Sequence, residues 1–155
     1  YNNRYSNKCW YNGDIMSELN VNKITEYTSG NGVEFQAYKE TDVTVTSATT
    51  LAIDLANGNT GSVTLAHSVT DIDFTNVPSN GTSSFTLKVT QDGTGSRTLS
   101  INKVTVNGGS EAVALTSGNA GITLSTAANS VDLVTFLFFD AGNPLVQALL
   151  DFKNS

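Results

Sequence analysis

The chain has 155 residues, a mass of 16.4 kDa, a net charge of -6 and an isoelectric point near 4.5. That length suits one ordinary domain, able to hide roughly two-thirds of its unfolded surface. The charge sets aside binding to a nucleic-acid backbone, which needs concentrated Lys and Arg, because the eight basic residues are scattered.

Residues 1–40 read as an extended N-terminal arm and linker. Four aromatics fall in the first eleven positions (Tyr1, Tyr5, Trp10, Tyr11), and Ile15 and Leu19 share helical spacing that Val21 and Ile24 do not extend. No basic-then-apolar leader opens the sequence. Cys9 is the single cysteine, so no internal disulfide framework forms, and it reads as an inert thiol. TSGNG, residues 28–32, supplies a turn or linker. Tyr5, Trp10 and Tyr11 are the candidate anchoring residues of this arm.

Residues 41–155 read as a β domain. With 21 Thr, 16 Ser, 17 Asn and 13 Gly the composition is one of strands and turns, because Thr suits a pleated surface and Asn, Ser and Gly supply turn geometry. Val43 and Val45 alternate with Thr; Leu51, Ile53 and Leu55 do likewise before a turn at Asn57 to Gly61, and Val63 and Leu65 follow it. Ile72 and Phe74 lead into VPSNG, where Pro78 and Gly81 stop a strand. Phe85, Leu87 and Val89 share a face, as do Leu99 and Ile101. Val104 and Val106 have the opposite parity, which predicts a bulge near Asn102 or Lys103. Residues 112–116, 122–124, 131–140 and 145–152 complete the set. The expectation is an antiparallel β-sandwich or jelly-roll-like domain of about eight to ten short strands.

QDGTGSRT, residues 91–98, has the glycines of a phosphate loop but is followed by strand-like RTLSI rather than a helix, so it is expected to be a hairpin connection. Asp92 and Arg97 are positioned to pair across its mouth. His67, the one histidine, lies in the parity of Val63 and Leu65 without a Gly-x-Ser-x-Gly elbow, and reads as structural. Zinc ligation lacks ligands. Asp71 and Asp73 share a strand face and could bind calcium weakly, but the glycine and later glutamate of a calcium loop are missing, so a solvated outer face is favoured. No catalytic residue, metal site or cofactor is therefore expected.

VDLVTFLFFD, residues 131–140, carries apolar side chains on both faces: Val131, Leu133, Leu137 and Phe139 on one, Val134, Phe136 and Phe138 on the other. It is too short for the roughly 20 residues of a membrane helix, so no membrane insertion is expected. Two apolar faces require two covers. The second is expected to be covered by the same domain or by a neighbouring subunit, which makes Val134, Phe136 and Phe138 the candidate subunit interface.

NVPSNGTSSFTLKVTQDGTGSRTLSI, residues 76–101, followed by LSTAANSVDLVTFLFFDAG, residues 124–142, resembles a β module of tail-fibre and other virion structural proteins of tailed bacteriophages. ATTLAIDLANGNTGSVTLAHSVT is similar to the strand pair that precedes it in such modules, and NKITEYTSGNGVEF to lead-in segments of marine and cyanobacterial phage proteins. QDGTGSRT and LSTAANSVD are the most specific pieces. The chain departs from the pattern where a Trp commonly follows the SRT block and where PLVQALLDF replaces an aromatic-rich ending. The resemblance implies a noncatalytic homo-oligomer, a trimer in many cases, that works with capsid or tail proteins as a fibre-like appendage or capsid decoration. Its location would be the virion, assembled in host cytoplasm and then extracellular. The alternative is a host-recognition β module that binds surface glycans.

Overall fold

The computed structural model describes residues 39–101, 103–109, 115–116 and 121–152. The chain divides into a unit Tyr1–Tyr38 and a unit Lys39–Ser155, and every described residue belongs to the second. Within it run β1 (Asp42–Thr44), β2 (Thr50–Asp54), β3 (Thr60–Leu65), β4 (Asp71–Thr75), β5 (Thr82–Gln91), β6 (Val104–Val106), β7 (Leu115–Thr116), β8 (Val131–Phe139) and β9 (Leu145–Leu149). A single 3-10 turn, Leu55–Asn57, interrupts them among the described residues.

Two sheets result. The larger has the order β1-β3-β5-β8-β9-β7 and the smaller the order β2-β4-β6. From β1 to β6 the chain alternates between them, and every return lays a new strand parallel to the previous one: Asp42 opposite Thr60, Thr60 opposite Thr86, Thr50 opposite Asp71, Ile72 opposite Val104. Only β8 runs antiparallel to its neighbours, pairing Leu87 with Val134 and Leu137 with Leu145. The fold is β-rich with two sheets, but the expected antiparallel pairing is corrected to a mixed one. Parallel strands need a crossover between them. Here a strand of the opposite sheet serves as that crossover.

Polar side chains fix the corners of this winding. Asn76 (φ 55°) donates its amide to Asp54 Oδ1 at 2.7 Å, and Asn107 (φ 51°) brackets Val77, accepting from its N–H at 3.0 Å and donating to its carbonyl at 2.8 Å. Asn tolerates the left-handed region and replaces a missing backbone partner. Asp54 also caps the 3-10 turn through Ala56 N–H, and the two donors, Asn76 first, hold its carboxyl below the ordinary range.

The inward residues of both sheets meet in one core. Phe74 of the small sheet packs against Phe85, Phe136 and Phe138 of the large one, with ring centroids 6.3, 5.0 and 4.9 Å apart in tilted or edge-on geometry. Such pairs contribute about 0.5–1.5 kcal/mol each beyond the area they bury. Around them lie Leu51, Ile53, Val63, Leu65, Ile72, Leu87, Val89 and Val104. Ile122 to Leu124, expected as a strand, is irregular, although Leu124 still enters the core.

Candidate functional site

The richest polar constellation joins the end of β5 to the start of β8. Gln91 and Asp132 occupy inward positions of their strands, in phase with Val89 and Val134, and each is 1% exposed. A buried amide or carboxylate needs all its hydrogen bonds made. Gln91 Nε2 donates to the carbonyls of Arg97 (2.8 Å) and Ser125 (3.0 Å), while its Oε1 accepts from Arg97 N–H at 2.9 Å. Asp132 accepts from Ser125 N–H and Oγ–H and from Asp151 N–H, each at 2.7 Å. Asp151 adopts φ 52°, and the next residue, Phe152, donates its N–H to Val131 O at 2.7 Å.

QDGTGSRT is not a hairpin connection. β5 pairs with β8, whereas Leu99 forms a lone parallel bridge to Val69. The Gln91 side chain supplies the bonds a hairpin partner would have supplied to Arg97, and the chain turns away toward the small sheet. Asp92 organises the turn. It accepts from Gly95 N–H (2.8 Å) and Thr94 N–H (3.0 Å), and its Oδ2 takes Arg97 Nη2 at 2.7 Å and Nε at 3.0 Å. The Arg97 bonds lead in holding the Asp92 carboxyl below the ordinary range. Gly95 (φ +74°) passes so close to residues 126–128 that a Cβ would lie 2.5 Å from Thr126 O. Ser96 N–H to Thr126 O (2.9 Å) and Asn129 N–H to Asp92 O (3.2 Å) complete the lock.

Beside this lock lies an open depression of about 610 Å³ lined by residues 125–131, Asp151 and Phe152. Phe152 is 46% exposed and lines it together with Asn129 and Asp151. An exposed ring flanked by polar groups is a surface suited to stacking on a ligand with an apolar face and hydroxyl edges.

Tyr5, Trp10, Tyr11 and Cys9 lie outside the described residues. Val134, Phe136 and Phe138 are fully buried against the small sheet of their own chain. The same domain covers that face, so these three are core residues rather than a subunit contact. His67 is exposed, with Nδ1 3.4 Å from Ser47 Oγ, too long and too wet to activate a nucleophile. Asp71 Oδ2 accepts from Thr50 Oγ1 at 3.3 Å and Oδ1 lies 3.9 Å from Lys103 Nζ, an ion contact rather than a calcium shell. Among the described residues no group of three or more His, Cys, Asp or Glu side chains could hold a metal. The expected bulge at residues 102–103 involves Asn102, outside the described residues.

Sequence reasoning missed Gln91, Asp132, Ser125 and Phe152. The signal was present for the first two, since each puts a polar group at an inward position of an otherwise apolar strand. Scans against protein-family models, curated proteins and solved structures each returned no match.

Proposed function

We propose that the chain is a bacteriophage virion structural protein, noncatalytic and homo-oligomeric, acting as a tail-fibre-like appendage or a capsid decoration beside capsid or tail proteins. Its two sheets then form a sandwich wound as a short solenoid, each turn stacking on the last. One observation carries the reading: QDGTGSRT and LSTAANSVD, the segments most similar to phage virion modules, are hydrogen-bonded to each other through Gln91, Asp92, Ser125 and Asn129. Segments that share a lock of this kind are constrained together, so their joint occurrence is more informative than either alone. A wound β domain closed by such bonds suits a particle that leaves a reducing cytosol and persists outside it without disulfides. Imaging of intact particles with this chain located and counted tests the reading. Many copies over a shell indicate decoration and a few at one vertex indicate an appendage, whereas absence from the particle refutes it.

A second reading, glycan recognition by the same domain, is favoured by the half-exposed Phe152 in its polar depression. Binding on a glycan array that Phe152→Ala abolishes would support it. A signal indifferent to Phe152→Ala would remove that support.

A further inference from the structure

Five Asn-Gly pairs occur in the chain, and Asn57-Gly58, Asn80-Gly81 and Asn107-Gly108 fall among the described residues. Such a pair is chemically distinct because glycine has no Cβ to shield its nitrogen. Once that nitrogen gives up its proton, it can attack the carbonyl of the preceding side chain and close a cyclic imide. Three conditions decide whether it does: the Asn amide must be untethered, the glycine must have room to move, and a base must reach its N–H.

The fold withholds these conditions from two of the pairs. Asn107 fails the first, since its side chain is held at both ends by Val77, accepting from the N–H at 3.0 Å and donating to the carbonyl at 2.8 Å. Asn57 fails the other two. Gly58 N–H turns back to Leu55 O at 3.4 Å, and the residue is wedged so tightly that a Cβ would lie 2.6 Å from Thr41 O and 3.3 Å from Val43 Cγ2. Asn80 meets all three. Its side chain is exposed and makes no hydrogen bond among the described residues. A Cβ built on Gly81 would find nothing within 4 Å. Gly81 N–H donates to Asp140 Oδ1 at 2.7 Å, inside the reach of a general base.

We propose that Asn80 is a site of self-modification, at which the Asp140 carboxylate is the base that turns the Asn-Gly link into a cyclic imide. Asp140 sits in the turn after β8 with φ 52°, and its own N–H donates to Gly81 O at 2.9 Å, so the carboxylate is clamped to the residue whose proton it takes. The Gly81 nitrogen, its proton passed to Asp140, bonds to Asn80 Cγ. The bond from Cγ to the side-chain nitrogen breaks, and ammonia leaves with the proton that Asp140 returns. Water then opens the imide at one carbonyl to an aspartyl residue or at the other to an isoaspartyl linkage. Nothing is oxidised or reduced, and water is the only co-reactant. Either product adds a negative charge to the -6 of the chain. The isoaspartyl form also lengthens the backbone by one atom just before β5, where Thr82 faces Phe139. The modification therefore marks the age of a copy at one end of the pairing between β5 and β8.

The test is peptide mapping of the full chain after prolonged incubation in neutral buffer, with isoaspartyl linkages counted by enzymatic methylation and the same incubation repeated in urea. In the native chain, conversion at Asn80 should exceed that at Asn57 and Asn107 by about tenfold or more, and in urea the three rates should converge, because the base is in place only in the fold. Asp140→Asn keeps an acceptor for Gly81 N–H and loses the base, and should slow native conversion at Asn80 by about tenfold or more. A purely structural Asp140 gives the opposite sign, since a loosened turn exposes the pair further. Should the amide disturb folding, Asp140→Ser removes the base in a second way and should slow conversion likewise. An Asn80 that outlasts Asn57 or Asn107 in the native chain overturns the inference. So does the same ranking of the three pairs in urea, or a rate at Asn80 that neither Asp140 variant lowers.

Discussion

Asp132→Asn is the sharpest probe of the lock between β5 and β8. The substitution keeps the shape of the side chain and removes one acceptor. In the native site Oδ1 receives Ser125 Oγ–H and Asp151 N–H while Oδ2 receives Ser125 N–H, every position a donor. Asn has one oxygen, so its NH₂ must face a donor in either orientation. With the oxygen placed toward the two donors, Ser125 N–H is left unpaired and pressed against another N–H. An orphaned buried donor costs about 1–3 kcal/mol, and loss of a charge-assisted acceptor brings the expected total to about 2–4 kcal/mol. For a domain of this size that lowers Tm by about 10 °C. Calorimetry with parallel urea melts measures the loss. Faster trimming of the chain after Leu149 by carboxypeptidase would show that it reaches the segment held by Asp151. A variant within about 1 kcal/mol of wild type would mean that the lock does not hold the domain closed.

Three further outcomes follow from the core, one close approach and one half-buried carboxylate. Phe74→Ala removes the ring that touches Phe85, Phe136 and Phe138 and should cost about 3–5 kcal/mol in urea melts, and a loss under 1.5 would deny Phe74 its central place. Gly61→Ala puts a Cβ 2.7 Å from Phe85 Cζ and 2.9 Å from Val43 O, and should destabilise by about 1–3 kcal/mol, whereas a stabilised variant would refute that approach. Asp92 has its folded-state pKa lowered, first by Arg97, so the stability it lends is present above the unfolded carboxylate value and disappears as pH falls through the folded one. Below about pH 4 the melting temperature should therefore fall more steeply with pH in wild type than in Asp92→Asn, and equal slopes would contradict the linkage.

Much of the strand inventory was legible because inward positions are apolar at period two, as Leu51–Ile53, Ile72–Phe74 and Phe85–Leu87–Val89 show. Strand direction was not. A corner that sends the chain to the opposite sheet uses the same Asn, Gly and Ser as a hairpin turn, so Asn76 and Asn107 gave no hint that they close crossovers. The pairing of Asp92 with Arg97 was readable from five-residue proximity across a glycine turn. Phe136 and Phe138 misled for a different reason: a strand apolar on both faces reveals that two covers exist and leaves open which is internal. The answer depended on Phe74, more than sixty residues earlier in the chain. Ser125 could not be assigned because its role is set by the inward turn of Asp132, a tertiary relation.

The place of β8 in the larger sheet has a consequence for synthesis. β5 lies beside β3 early in the chain, but its other edge is completed only when Thr90 meets Val131 and Thr82 meets Phe139. A chain emerging from the ribosome therefore carries an unzipped strand, with the Phe85, Leu87 and Val89 side chains incompletely covered, until most of it has been translated. Truncated products ending before residue 131 would keep that edge open as a template for misassociation. The late arrival of one central strand makes the synthesis of β8 the event that closes the exposed edge of β5.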